Sequence, residues 1–430
     1  MRSNVLVRCA GVAAAFAGSI VLADGFRNPP DGALSLGRIG GTYAQIDDAS
    51  TVSRNPANMT DIKQPEYCVS VTLGYGEKKF TRPSEVAATG AGGSFDTTAK
   101  SVNNFAALPD VYVVYPLQEK LVAGFALTTP FGRSTTWDKD NSLFRYTAPY
   151  YSQLIGINAN PNIALKINDS ISFAAGVDVL WSSLDIKQVY PWSAVTGNPA
   201  SPDGDSEMYG DGVGFGGNAA LNFKVTGKQK ISLSYRSPIS VHYDGTTKIT
   251  EIPAGLPPPL SGVTHSSSFG SDVTFPAVAA IAYGIELTET VRVEADVEWV
   301  QHSTFDDLTV DAGSNNVLLP ASTLPGNWTD TWTYGLGADW KFAPEWTARA
   351  GWIHLDTPIP ETTQIPSIAE QDQNVASIGL GWAGKNRRVD LAYAYGFLSS
   401  RHVDNNANPL YDGTYDFNSQ LLALSYDSKF

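Results

Sequence analysis

The chain is organised by a period of two. Tyr67, Val69, Val71, Leu73 and Tyr75 alternate with Cys68, Ser70, Thr72, Gly74 and Gly76. Ile155, Ile157, Ala159, Pro161, Ile163, Leu165 and Ile167 alternate with smaller or polar partners. After a turn at Asn168-Asp169 the apolar series resumes with Ile171, Phe173, Ala175, Val177, Val179 and Trp181. Such alternation predicts strands with one apolar and one polar face. The sharpest case is 291–299, where Val291, Val293, Ala295, Val297 and Trp299 share one face and Arg292, Glu294, Asp296 and Glu298 the other. Trp332, Tyr334, Leu336, Ala338 and Trp340 repeat the pattern, as do Trp346, Ala348, Ala350 and Trp352. Aromatic residues at strand ends with small aliphatics between them fit a lipid-facing band flanked by interfacial girdles.

Connections fall into two classes. Short turns are expected near Leu117-Glu119, Asn168-Asp169, Thr226-Lys228, Leu287-Thr290, Ala343-Glu345 and Gly384-Asn386. Long polar or Pro-rich connections lie near 81–98, 131–145, 191–206, 250–262, 312–327, 357–372 and 402–412. Short turns at one end and long loops at the other are the topology of outer-membrane barrels. Counting strands between these connections predicts an all-β, 14-stranded antiparallel transmembrane barrel spanning residues 67–430, with both termini periplasmic. The alternation Leu422, Leu424, Tyr426 towards a terminal Phe430 resembles the signal read by the barrel-assembly machinery, with Ser428 a polar departure.

The first residues read differently. Arg2 and Arg8 give a positive start ahead of an uncharged stretch from Cys9 to Leu22, and Val21-Leu22-Ala23 offers small residues at a cleavage site. This predicts a signal peptide over residues 1–23 and a mature chain starting at Asp24. No later apolar run reaches about 18 residues, so helical spans are not expected. Residues 24–66 do not alternate; glycines, prolines and the charges Asp47, Asp48 and Arg54 punctuate apolar positions such as Phe26, Leu36 and Ile46. A plug inside the lumen is the expectation, its charges matched by Arg292, Glu294, Asp296, Glu298 and Arg349 on the inner wall.

Composition narrows the function. The formal net charge is -14, and loss of Arg2 and Arg8 with the signal leaves -16, which speaks against nucleic acid as partner. Only Cys68 would remain after cleavage, so no intramolecular disulfide is expected. His242, His265, His302, His354 and His402 are dispersed without a hydrolase elbow or metal pair, so neither catalysis nor a cofactor is expected. Asp138, Asp140, Asp203 and Asp205 lack calcium-loop spacing and read as solvated loop. Gly212, Gly214, Gly216 and Gly217 lie on a strand and would let a plug or neighbour approach.

A family resemblance sharpens this reading. Gly25-Phe26, Leu36-Gly37-Arg38, Asp47-Asp48-Ala49 and Val52-Ser53-Arg54-Asn55-Pro56-Ala57 resemble the hatch of the FadL-like outer-membrane transporters of long-chain fatty acids and aromatic hydrocarbons. The likeness continues through Leu108-Pro109, Gly124 to Gly132, Phe215-Gly216, Tyr235-Arg236-Ser237 and Asp356-Thr357-Pro358-Ile359-Pro360. It implies 14 strands, a hatch and pocket involving Gly25, Phe26, Asn55, Pro56 and Ala57, and a lateral opening at a kinked third strand. The matching stretch is Thr129-Pro130-Phe131-Gly132, with Ala106 facing it; proline gives no ladder N–H and glycine packs no side chain. Where fatty-acid members can place a basic residue near the end of the fifth strand, this chain has Lys187-Gln188, which leaves aromatic or alkane substrates open. Tyr150, Tyr151, Tyr190 and Trp192 suit either class.

The expectation is therefore a passive, monomeric channel for hydrophobic small molecules. It would be surrounded by outer-membrane lipid and lipopolysaccharide. A general porin for polar solutes and a surface adhesin with a structural barrel are the alternatives.

Overall fold

The computed structural model describes residues 24–83, 96–141, 143–256, 264–311 and 322–430. The expected signal peptide lies outside them, as do parts of the loops near 81–98, 250–262 and 312–327. Fourteen antiparallel staves close into one barrel. They are β1 (Glu66–Thr81), β2 (Thr98–Val102 and Phe105–Gln118), β3 (Leu121–Trp137), β4 (Tyr151–Lys166) and β5 (Ile171–Tyr190). Next come β6 (Gly204–Thr226), β7 (Gln229–Arg236 and Ile239–Thr250), β8 (Thr264–Phe275 and Val278–Glu286) and β9 (Val291–Val300 and Asp307–Asp311). The last are β10 (Ser322–Pro325 and Thr331–Ala343), β11 (Trp346–Leu355), β12 (Gln373–Ala383), β13 (Arg387–Phe397 and Arg401–Val403) and β14 (Gly413–Lys429). Pairing of β1 with β14, from Glu66↔Lys429 to Thr81↔Thr414, leaves the wall no free edge there.

The period-two pattern becomes inside and outside. Glu294, Asp296 and Glu298 of β9 are buried in the lumen, while Trp332, Tyr334, Leu336 and Trp340 of β10 stand exposed on the outer surface. In water so continuous an apolar exterior would be an aggregation hazard; in a bilayer it is the lipid-facing band. One connection differs from expectation. The loop placed near 131–145 begins later, because β3 keeps its ladder with β4 through Phe131↔Gly156 and on to Thr136↔Tyr151. Arg133 and Thr135, in the stretch that read as a loop, face inward and bond the 357–372 loop packed inside the barrel.

Residues before β1 fill the lumen rather than the wall. They form the short helices α1 (Ala33–Gly37) and α2 (Thr51–Arg54) and a 3-10 turn Pro56–Asp61, nearly all buried. Close backbone approach seats them. Gly40 has φ +90°, and a Cβ there would stand 2.2 Å from the Trp352 carbonyl, so the turn rests directly on β10 and β11.

A second deviation from a regular cylinder lies at β6 to β8. The β6–β7 ladder runs to Asn218↔Arg236 and resumes only at Asp211↔Asp244. Between them β7 crosses the inner side of β6, so that a Cβ at Gly212 would meet the His242 carbonyl at 2.0 Å. Pro238 and Pro276 interrupt β7 and β8 at matching heights, and neither can donate to a ladder. The glycines thus accommodate a neighbouring strand. The upper halves of β7 and β8 bring Ile239, Val241, Tyr243, Val273 and Phe275 into the lumen.

Candidate functional site

Above the hatch lies a cavity of about 710 Å³, lined by Phe26, Leu154, Leu184, Ile186, Met208, Val273, Phe305, Trp328 and Ile368 among others. Five structural units supply these side chains: the first hatch residues, β4–β6, the inward half of β8, the breaks within β9 and β10, and the 357–372 loop. Phe26 is its floor. Its ring lies 4.7 Å from Trp328 and 5.0 Å from Phe305, separations typical of favourable aromatic pairs. Gly25, at φ +62°, makes this possible: a Cβ there would sit 2.7 Å from His302 and 2.8 Å from Trp328.

The wall beside this floor is split. The β2–β3 ladder holds from Gln118↔Leu121 to Val111↔Leu127 and returns at Val102↔Thr136 and Ser101↔Trp137. In between, Asn103 to Asp110 stay with β1 or bend away, and β3 turns inward at a bulge between Thr128 and Phe131. Pro130 lies in that bulge, where a missing N–H costs no ladder bond. The exposed edge of β3 is capped from inside by the hatch. Asn28 N donates to the Pro130 carbonyl at 2.9 Å, Gly132 N to the Phe26 carbonyl at 2.9 Å, and the Asn28 amide to the Thr129 carbonyl at 2.7 Å. Arg27 and Phe131 form an antiparallel bridge.

Ionic contacts fix this capping segment. Arg27 pairs with Glu298 at 2.6 Å and with Asp24 at 3.2 Å, and the His302 ring meets Asp24 at 2.9 Å. Burial pushes the Asp24 carboxyl up, but His302 and Arg27 together bring it below its ordinary value. Glu370, from the 357–372 loop, accepts from Gly25 N at 3.1 Å and pairs with Arg133 at 2.6 Å. Burial drives Glu370 up to about 7, against the pull of the Arg133 guanidinium. Arg133 also donates to the carbonyls of Gly25, Ile368 and Ala369. Among the described lining residues it alone is charged, and both of its terminal nitrogens are engaged.

The residues expected at the site divide into five groups. Gly25, Phe26, Thr129, Pro130, Phe131 and Gly132 come together at the split, although the Phe131 ring points into the apolar cluster, 4.5 Å from Phe275. Ala106 lies on β2 beside the split, paired with Gly74 and packed near Ala33 and Leu36 of the hatch. Asn55, Pro56 and Ala57 are remote from the cavity. Asn55 caps the 3-10 turn through Ala57 N and reaches Asn222 of β6 at 2.7 Å, so this motif ties hatch to wall. Lys187 is committed to Glu207 at 2.8 Å, while Gln188 lines the cavity mouth and donates to the Tyr146 carbonyl. Leu422, Leu424 and Phe430 are exposed on the outer surface at the β14 end, with Phe430 6.1 Å from Tyr67.

Arg133, Trp328 and Glu370 are absent from the sequence reading, which names His302 only as a dispersed histidine without a catalytic or metal partner. For Arg133 a signal existed, since it shares the lumen-facing parity of Phe131 once β3 is read through to Trp137. Glu370 gave none; its place depends on how a long loop folds back.

Comparisons with known proteins agree with this architecture. The profile of the outer membrane protein transport protein family (OMPP1/FadL/TodX) matches residues 14–430. The long-chain fatty acid transport protein of Escherichia coli O6:H1 is 26% identical over 401 residues, covering 86% of each chain. The crystal structure of a Pseudomonas aeruginosa FadL homologue superposes with a TM-score of 0.80 at 21% identity, over 94% of this chain and 100% of that one. The Ralstonia pickettii toluene transporter TbuX gives 0.68 at 18% identity, over 94% and 99%.

Proposed function

The chain belongs to the OMPP1/FadL/TodX family of Gram-negative outer-membrane transport proteins, and from that premise we propose that it takes up uncharged hydrophobic small molecules by a lateral route. The observation that carries the proposal is the continuity of three features: an apolar cavity, a floor made by Phe26, and a split wall capped by residues 26–28. A solute enters from the external loops past Tyr190, Gln188 and Tyr411. It is held by apolar contact, each Å² withdrawn from water contributing roughly 25 cal/mol. Withdrawal of Phe26 to Asn28 from β3 opens the path between β2 and β3 towards lipid. The solute then leaves into hydrocarbon without re-entering water, which a water-filled pore does not allow.

Preference for an uncharged substrate follows from Arg133. Both of its terminal nitrogens are already engaged, by the Glu370 carboxyl and by the main-chain carbonyls of Gly25, Ile368 and Ala369. A buried carboxylate arriving here meets no spare cation among the described lining residues, and an unpaired charge in such surroundings is costly. The E. coli relative is named for fatty acids, so the two classes must be compared directly. Labelled toluene and labelled oleate are offered to a deletion strain and its complemented form. Complementation is expected to restore toluene uptake far more than oleate uptake; restoration of oleate alone would overturn the preference.

A further inference from the structure

At the end of the barrel away from the cavity, the hatch meets β9 to β13, next to the closing β14–β1 seam, through a set of largely buried charges. Arg38, Arg292, Arg349 and Arg388 form a continuous network with Glu294, Asp339, Asp47 and Asp390. Arg38 contacts Glu294 and Asp339, Arg292 contacts Asp47 and Asp339, Arg349 contacts Asp339 and Asp390, and Arg388 contacts Asp47 and Asp390. Four cations thus meet four anions. Glu66 has its own neighbour in Lys429 at 3.9 Å.

Three buried carboxylates beside this network have no cation of their own: Asp296, held by the Thr42 N–H and hydroxyl, and Asp48 of the hatch and Asp427 of β14, 1% and 3% exposed. Asp48 Oδ1 accepts from Ser50, but its Oδ2 has no partner; neither oxygen of Asp427 has one beyond the Cys68 thiol, a weak donor. Oxygens of Asp48, Asp427 and Asp390 lie within 4.8 Å of one another. That is the span of oxygens around one Ca²⁺, whose ligands stand about 2.3–2.6 Å away. The unmatched charges of Asp48 and Asp427, and their free oxygens converging on an Asp390 carboxylate that Arg349 and Arg388 already pair, suit a small hard cation.

We propose that Asp48 and Asp427, with Asp390 completing the set, bind one hard divalent cation, Ca²⁺ or Mg²⁺, that fastens the hatch to the closing seam of the barrel. The cation neutralises Asp48 and Asp427 and links a hatch residue to β13 and β14. It lies away from the cavity, and it stabilises the plug without touching the solute.

The full-length protein, purified in detergent and stripped with EDTA, is titrated separately with Ca²⁺ and Mg²⁺, and bound metal is measured by mass spectrometry after removal of free ion. One ion per chain is expected, together with a higher unfolding temperature in its presence. Asp427→Asn and Asp48→Asn should weaken binding at least about tenfold, since each removes a direct oxygen ligand, whereas Asp203→Asn in an external loop should not. Absence of bound metal in the native protein overturns the proposal, as does equal binding by both variants. If either variant loses heat-modifiable migration, the native stoichiometry and the Asp203→Asn control still decide. Native stability indifferent to metal but raised by Asp427→Asn would mean that protons balance the cluster, and would equally refute the cation.

Discussion

The hatch meets its barrel in two ways. Against β9 to β13 it is locked by charge: Glu294 alone accepts the backbone N–H groups of Tyr43, Ala44 and Gln45 and pairs with Arg38. Against β3 it makes one short antiparallel bridge and an apolar floor. The first contact is fully buried and bonded many times over, so its separation would strand charges in a dry lumen. The second gives up only a few main-chain bonds and apolar surface against β3 itself, although Arg27 must stretch or exchange its buried pair with Glu298 as the segment moves. A plug built this way can release its first residues while the remainder stays seated. Local opening of a weak element within a stable frame is the usual source of gating.

Breaking the locked side should have the largest effect. Glu294→Ala leaves Arg38 unpaired on that side and three N–H groups without an acceptor. A loss of about 3–5 kcal/mol is expected for an uncompensated buried charge. Thermal unfolding followed by heat-modifiable migration should show a marked fall, with the hatch becoming sensitive to protease. Unchanged unfolding would mean that the ionic lock is not what seats the plug.

The gated side should respond in transport rather than stability. Thr129→Arg, or Ala106→Glu, puts bulk or charge beside the split. Each should reduce hydrophobic-solute uptake at least roughly tenfold, the effect of about 1.4 kcal/mol on a barrier. Normal surface expression is expected, because neither residue lies in the lipid-facing band. Rates equal to the parent in both variants would direct the search for the exit elsewhere.

A smaller effect is expected from pH. Glu370 holds Gly25 and faces Arg133, Asp24 and His302. Its carboxyl is raised in the folded protein to about 7 from an ordinary 4.5. Its contribution to the closed segment is therefore fully present below about pH 4.5 and lost as pH rises through about 7. Conductance in planar bilayers should be a few-fold higher at about pH 8 than at about pH 5, and Glu370→Gln should flatten the difference. A flat profile in the native protein would remove Glu370 from the gate.

These contrasts also separate what could be read from the chain alone. Val291 to Trp299 announced both faces of a wall because lipid and lumen impose opposite demands on adjacent residues. The same parity placed Glu294, Asp296 and Glu298 inside before any partner was known. Pro130 and Gly132 marked the split because backbone chemistry is local. Partnerships were less accessible. Arg38 meets Glu294 across 256 positions, and no period in the sequence encodes that meeting. The inward bend of β7 and β8 was likewise hidden. Gly212 to Gly217 allowed a close approach without saying which element would make it, and Pro238 and Pro276 gain meaning only when the strands are adjacent. Asn55-Pro56-Ala57 was legible as a motif, yet its role as a tie to β6 depends on Asn222.

The central claim is that residues 26–28 must part from β3 for solute to leave. Asn28 and Pro130 are direct neighbours across that short bridge, so cysteines at both can form a disulfide staple, and the buried native Cys68 does not compete. Toluene uptake by Asn28→Cys/Pro130→Cys is measured in the oxidised state and again after reduction. The predicted result is a rate in the fully cross-linked protein below about a tenth of the reduced one, corresponding to at least about 1.4 kcal/mol on the barrier. Equal rates in the two states, with cross-linking verified by mass, would contradict the lateral gate.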